Sequence, residues 1–197
     1  MKKDSKNISK YSNDKIFYYG LEMFSFLKRD NFLSNVDKVY GIVVNQSRQP
    51  VFYTELTIPD NIDGRFDVLS LHMFFIFSRL KNEEQIGADF SQSLFDTMFV
   101  DMDQSLREMG VGDLSVGKRV KDMGKALLGR IEAYDNAFSA EYSDIEDTIV
   151  RNIYRGEPPH FNQIRRLIKY SKGTIENLAL IRKEEILHAN FSFTQAI

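Results

Sequence analysis

The strongest structural signal in this chain lies in residues 115–138, which read SVGKRVKDMGKALLGRIEAYDNAF. Apolar side chains recur along this segment at intervals of 4, 3, 4, 4, 3 and 4 residues. Because an α-helix has about 3.6 residues per turn, side chains at these intervals share one face. The segment therefore predicts a long amphipathic helix. Its apolar face consists of Val116, Val120, Met123, Leu127, Ile131, Tyr134 and Phe138.

Two further helices are predicted directly before this one. The nearer helix starts at about Ser91 and ends at Gly110, since glycine commonly terminates helices. The other runs from about Arg65 to Leu80 and is apolar on all sides, which is typical of a buried helix. Its uncharged stretch, residues 68–78, is too short to span a bilayer. The stripe of the nearer helix is Leu94, Phe95, Met98, Phe99, Met102, Leu106 and Met109.

Weaker helical patterns cover much of the remaining chain. Residues 17–27 and 145–153 show helical spacing, and a helix from about residue 161 is expected to break near Gly173. Residues 36–43 also fit a helix, although their β-branched side chains leave a strand as an alternative. The whole pattern predicts an all-α fold, a single compact bundle of roughly six to eight helices.

The polar segments between these patterns are interpreted as turns and caps. Residues 60–64, which read DNIDG, suit a turn that caps the next helix, and residues 81–89 suit a polar connector. Residues 143–146 have the form of a capping box. Residues 1–14 are predicted to be a flexible polar tail, and residues 15–197 the helical domain.

Composition excludes several classes of protein. With 43% hydrophobic and 27% charged residues, the chain matches an ordinary globular protein. It has no Cys, which excludes structural disulfides, thiolate zinc sites and cysteine catalysis. The N-terminal residues show neither an apolar signal core nor the acid-poor composition of a transit peptide. A cytoplasmic location is therefore expected.

Charge is distributed in blocks of alternating sign, although the formal net charge is only −2. Residues 83–114 and 131–150 are acidic, whereas residues 115–130 and 151–197 are basic. The small total gives no overall field to attract DNA. The blocks suit either helices that neighbour one another in a bundle or a local surface for a partner. The basic candidates in the C-terminal block are Arg151, Arg155, Arg165, Arg166, Lys169 and Lys172.

Motifs for catalysis, metals or nucleotides are weak. His72, His160 and His188 are far apart, and a satisfied core histidine is the better interpretation of His72 than a metal or haem ligand. Asp101 and Asp103 point in different directions on a helix, which argues against a shared metal. Residues 110–119 depart from the phosphate-loop pattern after Gly-Lys. No catalytic, cofactor or metal site is therefore expected.

Several runs of residues resemble a known family. The most specific lies at residues 101–121, within the longer run LFDTMFVDMDQSLREMGVGDLSVGKRVK at residues 94–121. The others are residues 52–67, Leu71-His72, Arg79-Leu-Lys81, Gly129-Arg130 and Ala133-Tyr-Asp135. Together they make the chain similar to the ubiquinol–cytochrome c chaperones, across about residues 35–180. It looks like a bacterial member, because it lacks the extended N-terminal region of mitochondrial members.

The resemblance implies a non-enzymatic chaperone that binds newly made cytochrome b and promotes assembly of ubiquinol–cytochrome c reductase. Mitochondrial members of the family act with a small partner protein near the ribosomal exit, which makes a small protein and the ribosome candidate partners. The basic residues of the C-terminal block could also contact RNA or the anionic cytoplasmic face of the inner membrane. The family run supplies the first set of candidate partner-binding residues: Asp101, Asp103, Arg107, Glu108, Asp113, Lys118 and Arg119. Tyr53, Arg65 and His72 form a second, weaker set.

Two alternatives remain open from the residues themselves. The first set of polar residues could instead brace the turn between two long helices. The protein could also be a general helical module that binds proteins, RNA or ribosomes without a cytochrome b client. Most of its Phe and Met side chains lie on helical stripes and are expected in the core. Any that remain exposed would mark the first place to seek a client site.

Overall fold

The computed structural model describes residues 10–139, 144–157 and 159–195, with side chains from residue 29 onward. Within these ranges the chain forms eight helices and no strand, so the all-α prediction is confirmed. The helices are α1 (Lys10–Ser47), α2 (Val51–Thr54), α3 (Ile62–Leu80), α4 (Glu84–Glu108), α5 (Asp113–Ser139), α6 (Ile145–Ile153), α7 (Phe161–Leu180) and α8 (Lys183–Leu187).

Residues 17–27 and 36–43, which showed separate helical patterns in the sequence, lie in one continuous helix, α1. The strand alternative for residues 36–43 is wrong, since these residues lie inside α1. Residues 10–14 of the expected tail also belong to α1, and residues 1–9 lie outside the described ranges. The chain divides into two units, one ending at Asn35 and the other starting at Val36.

Helix α3 forms the centre of the second unit. It contacts α4, α5, α6 and α7, and nearly all of residues 66–76 are buried. The expected cap is present, because the Asn61 side chain accepts a hydrogen bond of 2.9 Å from the amide of Gly64. Wrapping by four helices explains why the sequence of α3 is apolar on every side.

Helices α4 and α5 form a hairpin with a short turn. The turn contains Gly110 with φ of +84°, a left-handed conformation that glycine adopts without strain. Helix α4 begins at Glu84 rather than near Ser91, so most of the predicted connector is helical. Gly87 allows this early start, since a Cβ there would lie 2.4 Å from the carbonyl oxygen of Leu80.

The C-terminal part of the unit contains α6, α7 and α8. The break expected near Gly173 is wrong: α7 continues through it to Leu180. The residue that would start the predicted capping box, Ser143, lies outside the described ranges. Beyond α8, Phe191 and Phe193 pack edge to face with ring centroids 5.7 Å apart. Phe193 is buried and brings this last segment into the core.

A buried carboxylate joins three parts of the bundle. The Asp67 side chain on α3 is wholly buried and accepts a hydrogen bond of 2.6 Å from Arg130 on α5. It also accepts from Arg155, which follows α6, at 2.8 Å and 3.3 Å. Each of its two oxygens therefore has a charged donor, which a buried carboxylate requires.

None of the helices in the described ranges is both long enough and apolar enough to cross a bilayer.

Candidate functional site

A pocket of about 340 Å³ brings together residues from both predicted sets. It lies between the last turns of α1, the short helix α2, the start of α3 and the second half of α4. Tyr53, Arg65 and Asp101 are the predicted residues that line it. The remaining lining residues are Val44, Ser47, Arg48, Asn61, Ile62, Phe66, Leu69, Met102, Ser105 and Met109.

The pocket has an apolar floor and an exposed apolar rim. Phe66 and Leu69 on α3 are buried beneath it. At the rim, Met109 is 51% exposed and Ile62 is 36% exposed. Exposed apolar side chains around a concave site are typical of a surface that binds another molecule. The helical periodicity of α4 predicted a core position for Met109, which instead lies at the end of the helix.

Tyr53 and Arg65 form the basic side of this pocket. The Arg65 guanidinium lies 5.7 Å from the centroid of the Tyr53 ring, within the range of a cation–π contact. Arg65 also donates a hydrogen bond of 2.6 Å to Asp60, and the Tyr53 hydroxyl donates one of 2.7 Å to the carbonyl of Ser47. Burial raises the pKa of Tyr53 to about 12, so its hydroxyl remains a donor.

Asp101 lines the opposite side and is tied to α1. Its carboxylate accepts a hydrogen bond of 2.7 Å from the hydroxyl of Tyr40. Burial, and to a smaller degree this carboxylate, raise the pKa of Tyr40. The phenol therefore remains protonated and holds α4 against α1. Asp101 has an architectural contact as well as a place on the pocket wall.

Three other residues of the first set brace the α4–α5 turn. Arg107 donates to Asp103 one turn earlier, at 2.6 Å and 3.3 Å, and also to Asp113 at the start of α5. These hydrogen bonds raise the pKa of Arg107, chiefly through Asp103. This geometry is what the bracing interpretation predicts. Glu108 is exposed and accepts from Gln104 on its own helix.

Lys118 and Arg119 face solvent on α5. Within the described part of the chain neither makes an ion pair or a hydrogen bond through its side chain. Both charges are therefore available to a partner, which distinguishes them from Arg107.

His72 is wholly buried in an aromatic cluster, which leaves it out of any binding surface. Its ring lies 5.2 Å from that of Phe52 and 5.3 Å from that of Phe193, both edge to face. The carbonyl of Val68 can only accept, so Nδ1 donates to it at 2.8 Å. Nε2 then accepts from the Tyr170 hydroxyl, also at 2.8 Å. The core interpretation of His72 agrees with this arrangement.

The same hydrogen-bond network reaches the last described segment of the chain. The Gln46 side-chain amide donates to the Tyr170 hydroxyl at 3.0 Å. It also lies 3.3 Å from the carbonyl of Thr194, to which it donates. Helices α1, α3 and α7 and the segment after α8 are thus joined around His72.

We expect acid to destabilise the protein through His72. Burial lowers the pKa of this imidazole from its ordinary 6.5 to about 4. The neutral ring stabilises the fold fully above pH 6.5, and this contribution is lost as the pH falls towards 4, because only the unfolded chain takes up the proton there. The free energy of unfolding should fall by about 1.4 kcal/mol per pH unit in this window from this residue alone.

Chemical denaturation at several pH values across that window measures the effect. The comparison is with His72→Asn, which keeps a donor for the carbonyl of Val68 but has no imidazole. The variant should show a shallower dependence of unfolding free energy on pH, whatever its absolute stability. Carboxylates titrate in both proteins, so equal slopes would contradict the prediction.

The basic residues predicted in the C-terminal block have different surroundings. Arg155 is paired with Asp67 and, at 3.4 Å, with Asp63. Arg166 pairs with Glu55 at 2.7 Å, and Arg165 lies 5.6 Å from the centroid of the Phe161 ring. Arg155 and Arg166 are therefore paired within the protein, and of these two only Arg166 lies on α7.

No group of three or more His, Asp or Glu side chains that could hold a metal ion occurs in the described ranges.

The chain is similar to known proteins in both sequence and structure. The family model for the ubiquinol-cytochrome C chaperone matches residues 54–193. The crystal structure of the Cbp3 homolog from Brucella abortus is similar, with a TM-score of 0.78 and 30% identity, covering 89% of this chain and 97% of that one.

The chain is also similar to two eukaryotic proteins. The chain is 19% identical to ubiquinol-cytochrome-c reductase complex assembly factor 1 of Xenopus laevis, covering 76% of this chain and 75% of that protein. It is 25% identical to the mitochondrial protein CBP3 of Saccharomyces cerevisiae, covering 72% of this chain. It spans only 44% of the length of the yeast protein.

Proposed function

The chain belongs to the ubiquinol-cytochrome C chaperone family, and from that premise we propose that it promotes assembly of ubiquinol–cytochrome c reductase by binding newly made cytochrome b. The proposed role is non-enzymatic. Family membership supports the assembly role, and the name of the Xenopus relative describes such a factor. The choice of cytochrome b as client follows from the family resemblance.

The pocket between α1, α3 and α4 is the proposed client site, and its exposed apolar rim is the observation that carries this. A membrane protein outside the bilayer exposes apolar helical surface that must be covered. Met109 and Ile62 present apolar area at the rim, and methionine adapts its shape to irregular partners. The pocket volume of about 340 Å³ suits a few side chains of a client helix rather than a whole segment.

The polar residues of the same pocket provide a second kind of contact. The exposed guanidiniums of Arg48 and Arg65 line the pocket opposite the carboxylate of Asp101. A helix terminus or a loop of the client offers carbonyl and amide groups that such residues can hydrogen-bond. The site can thus hold the end of an apolar helix. We place the protein beside the membrane in which its client is finally inserted.

Substitution at the pocket rim tests this function. Met109→Asp places a charge at the exposed rim, and we expect at least about a tenfold loss of cytochrome b captured by the protein, because that charge must lose its hydration against apolar client surface. The cellular level of assembled ubiquinol–cytochrome c reductase should fall accordingly in cells that carry the variant. The measurement is co-purification of cytochrome b with the tagged chaperone, together with the cellular level of the assembled complex.

Leu180→Asp is a matched control, because Leu180 is 86% exposed on α7 and lies outside the pocket lining. It should capture cytochrome b as the parent protein does. Equal capture by both variants and the parent would refute the pocket as the client site. Recovery of ribosomes without cytochrome b would favour the general interaction module instead.

A further inference from the structure

Helix α5 carries a solvent-facing stripe of three lysines between two leucines. We call it the α5 stripe: Leu114, Lys118, Lys121, Lys125 and Leu128. Leu114 is fully exposed and Leu128 is 57% exposed, and all three lysines are exposed. At 100° per residue the five side chains fall within an arc of about 80°, over a length of about 21 Å. They therefore form one continuous face.

The lysine charges on this face are not neutralised by the surrounding protein. In the described part of the chain, none of the three makes an ion pair. Asp122 is the only acidic residue between Leu114 and Leu128, and it lies about 40° outside the arc. Helix α4 packs beside α5, and its two acids nearest the α4–α5 turn are Asp103, which pairs with Arg107, and Glu108, which accepts a hydrogen bond from Gln104.

We propose that the α5 stripe docks the protein onto the surface of an anionic lipid bilayer. Three free lysines along about 21 Å match the negative headgroups, each contributing about fivefold to the partition coefficient. The leucines at both ends insert into the boundary between headgroups and acyl chains. An amphipathic helix with lysines and exposed apolar side chains lies in the plane of the membrane in this way.

The exposed leucines favour lipid over nucleic acid as the occupant. A phosphate backbone would attract the lysines equally, but it offers no apolar surface for Leu114 or Leu128. Both leucines would stay in water on RNA, whereas a bilayer buries them. A folded acidic protein would need a groove of matching shape. A bilayer needs only the convex face that α5 presents.

Docking through this stripe would place the client pocket near the membrane. The stripe begins at Leu114, immediately after the α4–α5 turn that Arg107 braces, and Met109 precedes the same turn at the pocket rim. A client segment released from the pocket would therefore start close to the bilayer. This orientation rests on the proposed function, whereas membrane binding itself does not.

Sedimentation of the purified full chain with vesicles tests the proposal. We expect the protein to bind vesicles of phosphatidylcholine with added phosphatidylglycerol and to bind phosphatidylcholine alone much more weakly. The triple variant K118Q/K121Q/K125Q should partition about a hundredfold less into the anionic vesicles. K118R/K121R/K125R keeps the charge and should bind as the parent does. L114S/L128S should also bind more weakly, although its charge is unchanged.

R151Q/R165Q/K169Q is the matched control, because it removes three exposed positive charges that lie on α6 and α7, outside the α5 stripe. If K118Q/K121Q/K125Q and R151Q/R165Q/K169Q weakened vesicle binding equally, the proposal would be overturned, since only the total charge would then matter. So would an unchanged affinity of L114S/L128S, or tight salt-sensitive binding to RNA without binding to vesicles. Thermal unfolding of each variant verifies that the fold is retained, as surface positions should allow.

The vesicle experiment separates this proposal from the proposed function. It uses no cytochrome b, so it fails only if the α5 stripe does not bind lipid. Capture of cytochrome b in detergent, where no bilayer is present, fails only if the client site is misplaced. K121Q/K125Q, which leaves the candidate partner-binding residue Lys118 in place, should retain capture in detergent.

Discussion

Replacing Asp67 with Asn is expected to lower the free energy of unfolding by about 3–5 kcal/mol, among the largest effects of any single substitution in this protein. The Asp67 side chain has no exposure to solvent, and Arg130 is only 15% exposed. Asp67→Asn keeps the size of the side chain but removes its charge and turns one acceptor into a donor. Arg130 then has no counterion in the described part of the chain, and Arg155 keeps only its longer contact with Asp63, at 3.4 Å.

Chemical denaturation of the parent and variant measures this loss. Asp135→Asn is the matched control. The Asp135 carboxylate also forms an ion pair, with Lys81 at 2.6 Å, but both of these side chains are about half exposed. An exposed pair of this kind contributes at most about 1 kcal/mol. The prediction fails if the two variants lose the same stability. Near-UV circular dichroism should also report loosening of the contact between α3 and α5.

Replacing Gly64 with Ala is the second substitution with a large expected effect, about 3 kcal/mol or more. A Cβ at Gly64 would lie 1.9 Å from the carbonyl oxygen of Pro59, far closer than van der Waals contact allows. The clash involves backbone rather than a flexible side chain, so the turn before α3 must shift. That shift would also disturb the cap that Asn61 provides.

Gly173→Ala is the control for this effect, and the expected change has the opposite sign. Gly173 lies inside α7, and a Cβ there meets no atom within 4 Å. Alanine has the higher helix propensity, so the variant should gain up to about 1 kcal/mol. The thermal midpoint should therefore fall for Gly64→Ala and rise for Gly173→Ala. A rise or no change for Gly64→Ala would show that the turn adapts freely.

The helices of this fold were predictable wherever the apolar period was long and regular. Helices α3, α4 and α5 follow their stripes closely, because burial of one face or of all faces dictates the spacing of apolar residues. The errors lie where a local signal is overruled by packing. Gly173 was expected to break α7, but a single glycine costs only about 1 kcal/mol in a helix. The β-branched residues near Val39 suggested a strand that burial in α1 overrides.

Contacts between distant residues were not predictable from periodicity. Asp67 marks the charged boundary of an apolar helix, and this was the only signal of its role. The partners Arg130 and Arg155 lie 63 and 88 positions away, and no spacing rule links them. Arg155 was instead grouped with basic residues of a binding surface.

The candidate site was partly predictable for the same reason. Residues of the first candidate set, which come from the family run, have different surroundings in the structure. Arg107 braces the α4–α5 turn, whereas Asp101 lines a pocket with Tyr53 and Arg65. Only the packing of α1, α3 and α4 brings the latter three together. Ser105 and Arg48 line the same pocket; Ser105 lies within the family run but was not singled out, and Arg48 carried no signal in the sequence.

The network around His72 affects when this protein can finish folding. Gln46 and Thr194 are 148 positions apart, and the ring of Phe193 packs on that of His72. A ribosome makes about 5–20 residues per second, so roughly 7–30 s pass between synthesis of the two partners. During that interval the aromatic surface of α3 lacks part of its cover. We therefore expect this proposed chaperone to be prone to aggregation itself until its last residues have been synthesised.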